Sequence, residues 1–366
     1  MDRRDFLKHT GQGVAAAAAF ISAPRAADGA QTPASASVPP SAAGQPWTEK
    51  QKLDRIASCS YPIRSIFKTR GPGGQQTQAL KQKYGEITML DFPRFTKDTF
   101  AGVTHMDIYS ALFGDVTDDT MFTPRPGGGV GTFDPSSASG KKWLDQLANT
   151  LVLTGTKVQH VSNNAPSNLA GPDQDLRKAG VEIAKKWLAG CAVLGVKSMR
   201  MNSPQALGPS IRPNAIPRST DGYPRNLEII TLLDNAIESY KEMADYGGNL
   251  GIKVTFENHW GLAADPMNIR IMLDTINHPY CEASPDFCNW EHEYMLFHAL
   301  EALAPYTHTT VHAKYWDRWS TNDVQRSVRI LEKAGFKGIY ALEYEAGPWD
   351  GVEGSRYLLK EVLAAL

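Results

Sequence analysis

The stretch Gly251–Gly261, GIKVTFENHWG, constrains the rest of the chain more than any other. Ile252, Val254 and Phe256 alternate with Lys253 and Thr255, which is the period of a strand. The strand then delivers Glu257, Asn258 and His259 in succession, followed by Trp260 and a turn glycine. A strand that ends abruptly in a carboxylate is how an α/β barrel places charge at its mouth. Three later strands read the same way. CEASPDFCNW presents Asp286, YTHTTVHAKYWDR presents His312, and GIYALEYEAG presents Glu343. One polar strand end is equally a surface turn. Glu257, Asp286, His312 and Glu343 on successive strand ends form a ligand set for one divalent metal ion, Mn²⁺, Mg²⁺, Co²⁺ or Zn²⁺.

Upstream, the same alternation of strand and helix begins near Ile56. Ile56–Tyr61, Thr104–Tyr109, Lys157–Val161 and Lys197–Met201 read as the first four strands. A return helix is expected over 87–100. A longer one is expected from Gln174 to Leu194, with Leu176, Val181, Ala184, Trp187, Leu188 and Cys191 on one face and Gly195 closing it. The next runs from Asn226, its expected N-cap, to Tyr246. It carries Ile230, Leu233, Ile237, Tyr240 and Ala244 as its stripe, with Gly247–Gly248 as its stop. Asp265-Pro266 opens another helix, and Ser355–Leu366 forms the last. Eight strands each followed by a helix predict an α/β fold, a single (β/α)8 TIM barrel. A doubly wound sheet would gather ligands at one switch point instead. No GxGxxG or P-loop follows a strand, and the glycine run Gly127–Gly129 sits in a loop. Two long connections, 110–140 and 202–225, follow strands and are expected to cap a substrate pocket.

The first residues, MDRRDFLKHTGQGVAAAAAFISAPRAADGA, have the parts of a signal peptide. Arg3 and Arg4 precede a modest apolar run, Val14–Ile21, and small residues follow at Ala26 and Ala27. This matches a twin-arginine signal over 1–27, which predicts export to the periplasm. The run is too short for a stable membrane span, and with no cysteine near the cleavage region a lipid anchor is not expected. Residues 28–46, rich in Ala, Ser and Pro, read as a disordered linker. Residues 47–366 then form the barrel. With 38 basic and 39 acidic residues the net charge is −1, which gives no footprint for nucleic acid. The four cysteines, Cys59, Cys191, Cys281 and Cys288, read as small core residues.

The motifs FENHWG, SPDFCNW, VHAKYWDR and ALEYEAG resemble the xylose-isomerase-like superfamily of sugar (phosphate) isomerases and epimerases. The resemblance covers about Ile56 to Leu366. It implies that Glu257, Asp286, His312 and Glu343 are the metal ligands. It also implies that Glu257 and Glu343 shuttle protons on opposite faces of the substrate, as in ketose 3-epimerases. Arg318 matches a substrate-contacting arginine, and Lys314 fits a His-x-Lys pattern. One position departs: the epimerases carry histidine where this chain has Asn289. Family members are often dimers or tetramers, and the sequence leaves homo-oligomerisation open.

The chemistry stands on the residues as well. A divalent ion polarises a hydroxyl–carbonyl pair and stabilises an enediolate, and a nearby carboxylate serves as base. His259, Asn258, Asn289, Lys314, Arg318, Arg200, Asn202 and His160 are candidates for the pocket wall. Trp260, Trp290 and Trp316 suit sugar stacking. Alternation puts Glu345 on the same face as Glu343, so either could be the last ligand. The expected activity is a metal-dependent isomerase or epimerase of a non-phosphorylated sugar or sugar derivative, a role in carbohydrate metabolism. A metal-dependent lyase that cleaves oxidised (3-keto) glycosides by β-elimination is the alternative. A non-catalytic sugar-binding barrel is a further one, and a DNA-repair endonuclease is disfavoured by the neutral charge.

Overall fold

The computed structural model describes residues 47–71, 73–124, 129–202 and 229–366. The expected signal peptide and linker, the expected cap Asn226, and the 202–225 connection beyond Asn202 lie outside the described residues.

In chain order the strands are β1 (Ile56–Cys59), β2 (His105–Tyr109), β3 (Phe122–Pro124), β4 (Val130–Phe133), β5 (Lys157–Ser162), β6 (Ser198–Arg200), β7 (Lys253–Phe256), β8 (Cys281–Ala283), β9 (Thr310–Trp316) and β10 (Ile339–Ala346). The main sheet has eight strands, in the order β8-β7-β6-β5-β2-β1-β10-β9. Every pairing in it is parallel. Its two edges meet beyond the end of β8. There the Phe287 amide donates to the His312 carbonyl at 3.1 Å, and the His312 amide donates to the Pro285 carbonyl at 3.1 Å. Asp286 and His312 are therefore partners across the closing seam. The result is the (β/α)8 barrel. β3 and β4 form a separate antiparallel hairpin inside the 110–140 connection, which the sequence reading left as loop.

The helices are α1 (Glu49–Leu53), α2 (Gln75–Tyr84), α3 (Phe92–Thr99), α4 (Ala138–Thr154), α5 (Gln174–Cys191), α6 (Ile229–Leu250), α7 (Pro266–Ile276), α8 (Met295–Leu303), α9 (Val324–Lys333) and α10 (Gly351–Ala365). Aspartates start several of them. Asp173, Asp265, Asp323 and Asp350 each accept from backbone amides of the first turn of α5, α7, α9 and α10. Each such cap is worth about 1 kcal/mol. The Asp350 cap also starts the last helix earlier than the expected Ser355.

Two helix readings need correction. α6 continues through Gly247 and Gly248, which were expected to stop it. These glycines serve close packing: a Cβ on Gly247 would meet the Ile252 carbonyl oxygen at 2.5 Å, and one on Gly248 would meet the Tyr280 ring at 3.1 Å. The stop is Gly251, with φ +71. Leu233, Tyr240 and Ala244 of the expected stripe are buried, joined by Leu232, Ala236, Met243 and Gly247, while Ile230 is 64% exposed. What sets the face is Tyr240, whose ring stacks on Phe256 of β7 at 3.6 Å. Leu176, placed on the inner face of α5, is likewise largely exposed.

The strands carry a polar face inward. Ser198 of β6 reaches Thr310 of β9 across the lumen, Oγ to Oγ1 at 3.3 Å, and His160 of β5 through Nδ1 at 2.8 Å. Lys253, Thr255 and Glu257 share this inner face, and Val254 and Phe256 turn outward to the helices. The apolar alternate is thus the outer layer, because helices cover a barrel from outside. His312 and Glu343 lie within β9 and β10, not at their ends, so their side chains sit inside the lumen below the rim.

Candidate metal centre and active site

The inward parity of β6 to β10 delivers most of the expected residues to one place. Glu257 follows directly on β7. Its Oε2 accepts from Arg200 Nη1 at 2.5 Å, and its Oε1 accepts from Asn289 Nδ2 at 3.2 Å. Asp286 is set by its own backbone: Asn258 Oδ1 accepts from the Asp286 amide at 2.7 Å, and Asn258 Nδ2 donates to the Asp286 carbonyl at 2.9 Å. Both ends of the Asn258 amide are thus spent on clamping the backbone of Asp286. The Asp286 Oδ1 atom accepts from the amides of Cys288 and Asn289. Its Oδ2 has no hydrogen-bond partner, although Lys314 Nζ stands 3.3 Å away.

His312 completes the group. Its Nε2 meets Asp107 Oδ2 at 2.9 Å, and Ser162 Oγ donates to both oxygens of Asp107. Its Nδ1 has no hydrogen-bond partner and lies 3.4 Å from Glu257 Oε2. A carboxylate behind the far nitrogen of an imidazole fixes its tautomer and orientation, the arrangement found behind metal-bound histidines. Ligand atoms of Glu257, Asp286 and His312 lie within 4.8 Å of one another, and all three residues are buried.

Glu343 is not in that trio. It approaches from the other edge of the imidazole, with Oε2 3.8 Å from His312 Nε2. Lys314 gathers what remains: its Nζ is 3.0 Å from Glu343 Oε1, 3.0 Å from Glu345 Oε2 and 3.0 Å from Asn289 Oδ1. Glu343 and Glu345 thus both face inward, as alternation requires. Glu345 also accepts from Tyr61 OH at 3.1 Å, which draws it toward the rim.

The charges explain one another. Burial would raise the carboxyl of Glu257, but the guanidinium of Arg200 and the imidazole of His312 outweigh it and hold it well below the carboxylate range. Asp286 goes the other way: burial, with Glu343 and Glu257 nearby, pushes it up to about 7 against the pull of Lys314. Burial would lower His312, yet Glu257, Glu343 and Asp107 push it up to about 10. Asp107, Glu257, Asp286, Glu343 and Glu345 face two permanent cations, Arg200 and Lys314. Buried charge needs a partner. The surplus of carboxylates, with an oxygen of Asp286 and a nitrogen of His312 that make no hydrogen bond at its centre, fits a divalent cation held by Glu257, Asp286 and His312.

Above these residues lies a cavity of about 170 Å³, lined in part by Tyr61, Arg200, His259, Trp260, Lys314 and Glu343. Its Trp260 holds φ at +68, an uncommon backbone state for a bulky residue. Burial and Arg200 push His259 down to about 4, so it is neutral, with Nδ1 unpartnered. Asn289 and Trp316 also line this space. Arg318 does not: it packs behind the rim over the indoles of Trp260, Trp316 and Trp319, at 5.3, 5.1 and 4.3 Å. Trp290 is fully buried in the core and is no part of the mouth. His160 lies deeper, bound to Ser198.

Sequence reasoning missed Asp107, Ser162, Asn164 and the two tyrosines, Tyr61 and Tyr109. Asp107 had one signal, a carboxylate in the middle of an otherwise uncharged strand. All four cysteines are free. Among the described residues no helix is long and apolar enough to cross a membrane.

Comparison with known structures agrees with this architecture. A Xylose isomerase-like TIM barrel protein from Mycobacterium smegmatis, in complex with magnesium, is 15% identical, with a TM-score of 0.56 over 86% of this chain and 98% of that one. A 3-keto-D-glucoside 4-epimerase from E. coli is 12% identical, with a TM-score of 0.56 over 84% and 98%. A D-allulose 3-epimerase from Methylomonas sp. in complex with D-allulose is 13% identical, with a TM-score of 0.50 over 80% and 84%. At these identities the likeness is one of fold. No curated protein matches the sequence. The family model described as Xylose isomerase-like TIM barrel matches residues 127–363, more than half of the chain. The chain belongs to the xylose isomerase-like TIM barrel family.

Proposed function

We propose that this protein is a divalent-metal-dependent enzyme that isomerises or epimerises a non-phosphorylated sugar or sugar derivative through an enediolate. One observation carries the reading. Glu257, Asp286 and His312 bring ligand atoms within 4.8 Å of one another, with Asp286 Oδ2 and His312 Nδ1 lacking hydrogen-bond partners, beside a cavity lined in part by Arg200, Asn289, Lys314 and Glu343. The magnesium complex of the Mycobacterium smegmatis protein and the sugar complex of the Methylomonas protein support it. A bound ion would supply Lewis acidity toward a hydroxyl–carbonyl pair.

The chain supplies the rest. Glu257 and Glu343 flank opposite edges of the His312 ring, which suits taking a proton from one side and returning it from the other. Lys314 places a buried ammonium beside the cavity, where developing oxyanion charge is stabilised. Arg200 and Asn289 fix the Glu257 carboxylate. The test is metal content by mass spectrometry for wild type, His312→Ala and Glu257→Ala, followed by a sugar screen in D₂O. About one ion per wild-type chain, lost in both variants, and an isomeric product carrying deuterium are expected. A folded wild type that cannot be loaded with Mn²⁺, Co²⁺, Mg²⁺ or Zn²⁺ would sink the proposal.

Asn289 favours a second reading, β-elimination of an oxidised (3-keto) glycoside. Where the epimerases carry histidine, Asn289 donates to Glu257 and accepts from Lys314, so it bridges the two sides and carries no proton. Elimination needs one base and a leaving group rather than two opposed proton carriers. Two smaller products in place of one isomer distinguish it. We also infer periplasmic export from the Arg3-Arg4 motif ahead of Val14–Ile21. N-terminal sequencing of the periplasmic fraction should find a chain cut near Ala27. Cytoplasmic protein with an intact N-terminus would contradict this.

A further inference from the structure

The inner cavity is small. At about 170 Å³ it is well under the range of roughly 300–1,000 Å³ usual for ligand pockets. A second space adjoins it, a groove of about 320 Å³ between the loop after β1, the loop after β10 and α2. Glu345 lines both. The side chain of Tyr61 faces the inner cavity, and the residues that follow it, Pro62 to Ile66, line the groove. Where the two spaces share Glu345, its carboxylate accepts from Tyr61 OH at 3.1 Å.

The groove is built, not incidental. Trp349 lines it with 41% of its surface exposed, yet its indole is held by stacking on Tyr357 at 4.5 Å, and its amide donates to Tyr344 OH at 3.0 Å. An exposed aromatic ring fixed in orientation is a platform for another ring. The two loops that form the walls touch: a Cβ on Gly351 would strike the Pro62 carbonyl oxygen, so neither wall can move freely. Arg64 lies over Tyr61 with its Cζ 4.0 Å from the ring centroid and donates to the Tyr61 carbonyl, which holds that ring in place. The charges of the groove are already matched: Glu345 pairs with Lys314, Asp350 pairs with Lys83, and the Arg64 guanidinium is taken up by the ring and carbonyl of Tyr61, so the groove suits a neutral group.

We propose that this groove is a subsite for the ring beyond the glycosidic bond, so that the substrate is a neutral glycoside with one ring in the inner cavity and the second, sugar or aryl, stacked on Trp349. The proposal rests on the reading of the inner cavity as a sugar site and narrows its substrate class. The glycosidic oxygen would pass beside Glu345 and Tyr61.

The test is calorimetric titration of the metal-loaded protein with 3-ketoglucose and glucose, and with their two-ring counterparts, the phenyl β-glycoside of 3-ketoglucose and cellobiose. A two-ring ligand is expected to bind about tenfold tighter than its single-ring partner. Trp349→Ala should erase that increment and leave single-ring binding unchanged, and Trp349→Phe should keep most of it. Equal affinity for one-ring and two-ring ligands, or an equal loss for both in Trp349→Ala, overturns the subsite alone. Single-ring and two-ring ligands that all fail to bind overturn the inner sugar site, and the subsite with it.

Discussion

Two cations hold the carboxylates of this barrel mouth, and they hold them differently. On the β6–β7 side, Arg200 gives one nitrogen to Glu257 and another to Asn164 Oδ1 at 2.6 Å. A planar guanidinium with both ends engaged fixes a carboxylate in direction as well as charge. On the β9–β10 side, Lys314 is one ammonium shared by Asp286, Glu343 and Glu345. A point charge with rotatable donors neutralises several partners and orients none strongly. The difference implies a division of labour: Glu257 is held rigidly, while the Asp286–Glu343–Glu345 side can redistribute charge when a metal or a substrate arrives.

The largest expected effect comes from removing the shared charge. Lys314→Met strands three carboxylates in the lumen and should lower the stability of the metal-free protein by about 3–5 kcal/mol, read by denaturant unfolding. A change under about 1 kcal/mol would mean that the carboxylates find compensation elsewhere, and the contrast with Arg200 would collapse.

Next comes the residue behind the imidazole. Asp107→Asn keeps an acceptor near His312 but removes the charge and can turn a donor toward Nε2. Metal affinity, measured by chelator competition, should fall about 10–100-fold. Unchanged affinity would assign Asp107 to packing alone.

A smaller effect appears with pH. Asp286, pushed up to about 7, keeps in the folded state a proton that the unfolded chain releases near 3.8. That stabilisation is complete below the unfolded value and is lost as pH rises through about 7. His312, pushed up to about 10, has the same sign and loses its contribution between about 6.5 and 10. Glu257 has the opposite sign, but its window lies below the ordinary carboxylate range. The metal-free melting temperature should therefore fall from pH 6 to pH 9, and the gain from added Mn²⁺ should be larger at pH 8 than at pH 6. Asp286→Asn should flatten the lower part of that slope. A metal-free protein that becomes more stable over this range would refute the assignment.

The smallest effect sharpens the comparison most. Arg200→Lys keeps the charge on Glu257 but cannot also reach Asn164. Stability should drop by only about 0.5–1.5 kcal/mol, the worth of one hydrogen bond. Turnover should fall more than binding does, because a misdirected Glu257 costs geometry rather than affinity. Equal loss in KM and kcat would show that Arg200 contacts substrate directly.

Much of this was legible in the sequence. Alternating strands and helices, with polar residues recurring at strand ends, were enough for the barrel and for singling out Glu257, Asp286 and His312, which the fold brings together, while Glu343, expected as a fourth ligand, stands outside that trio. Local chemistry also placed Asp265 as a cap, and the family resemblance singled out Lys314. These features depend on neighbours close in the chain or on a repeated pattern, which a single sequence displays. The period-2 pattern likewise put Glu343 and Glu345 on one face.

The tertiary structure decided the rest. Both faces of a barrel strand are buried, so alternation separates the faces without saying which one is the lumen. The packing of Phe256 on Tyr240 and of Val254 against Gly247 of α6 turns the apolar face outward and the polar face in. Asp107 and His312 lie 205 residues apart, and no local pattern links them until the barrel brings β2 opposite β9. The same closure sends Arg318 behind a wall of indoles and Trp290 into the core, although both stand next to site residues in the chain. The sequence by itself determined the residue types and the order in which they arrive at the rim. Barrel closure decided which of them meet, because a carboxylate, an imidazole or an ammonium acquires its charge and direction from partners that only the closed lumen places within about 4 Å.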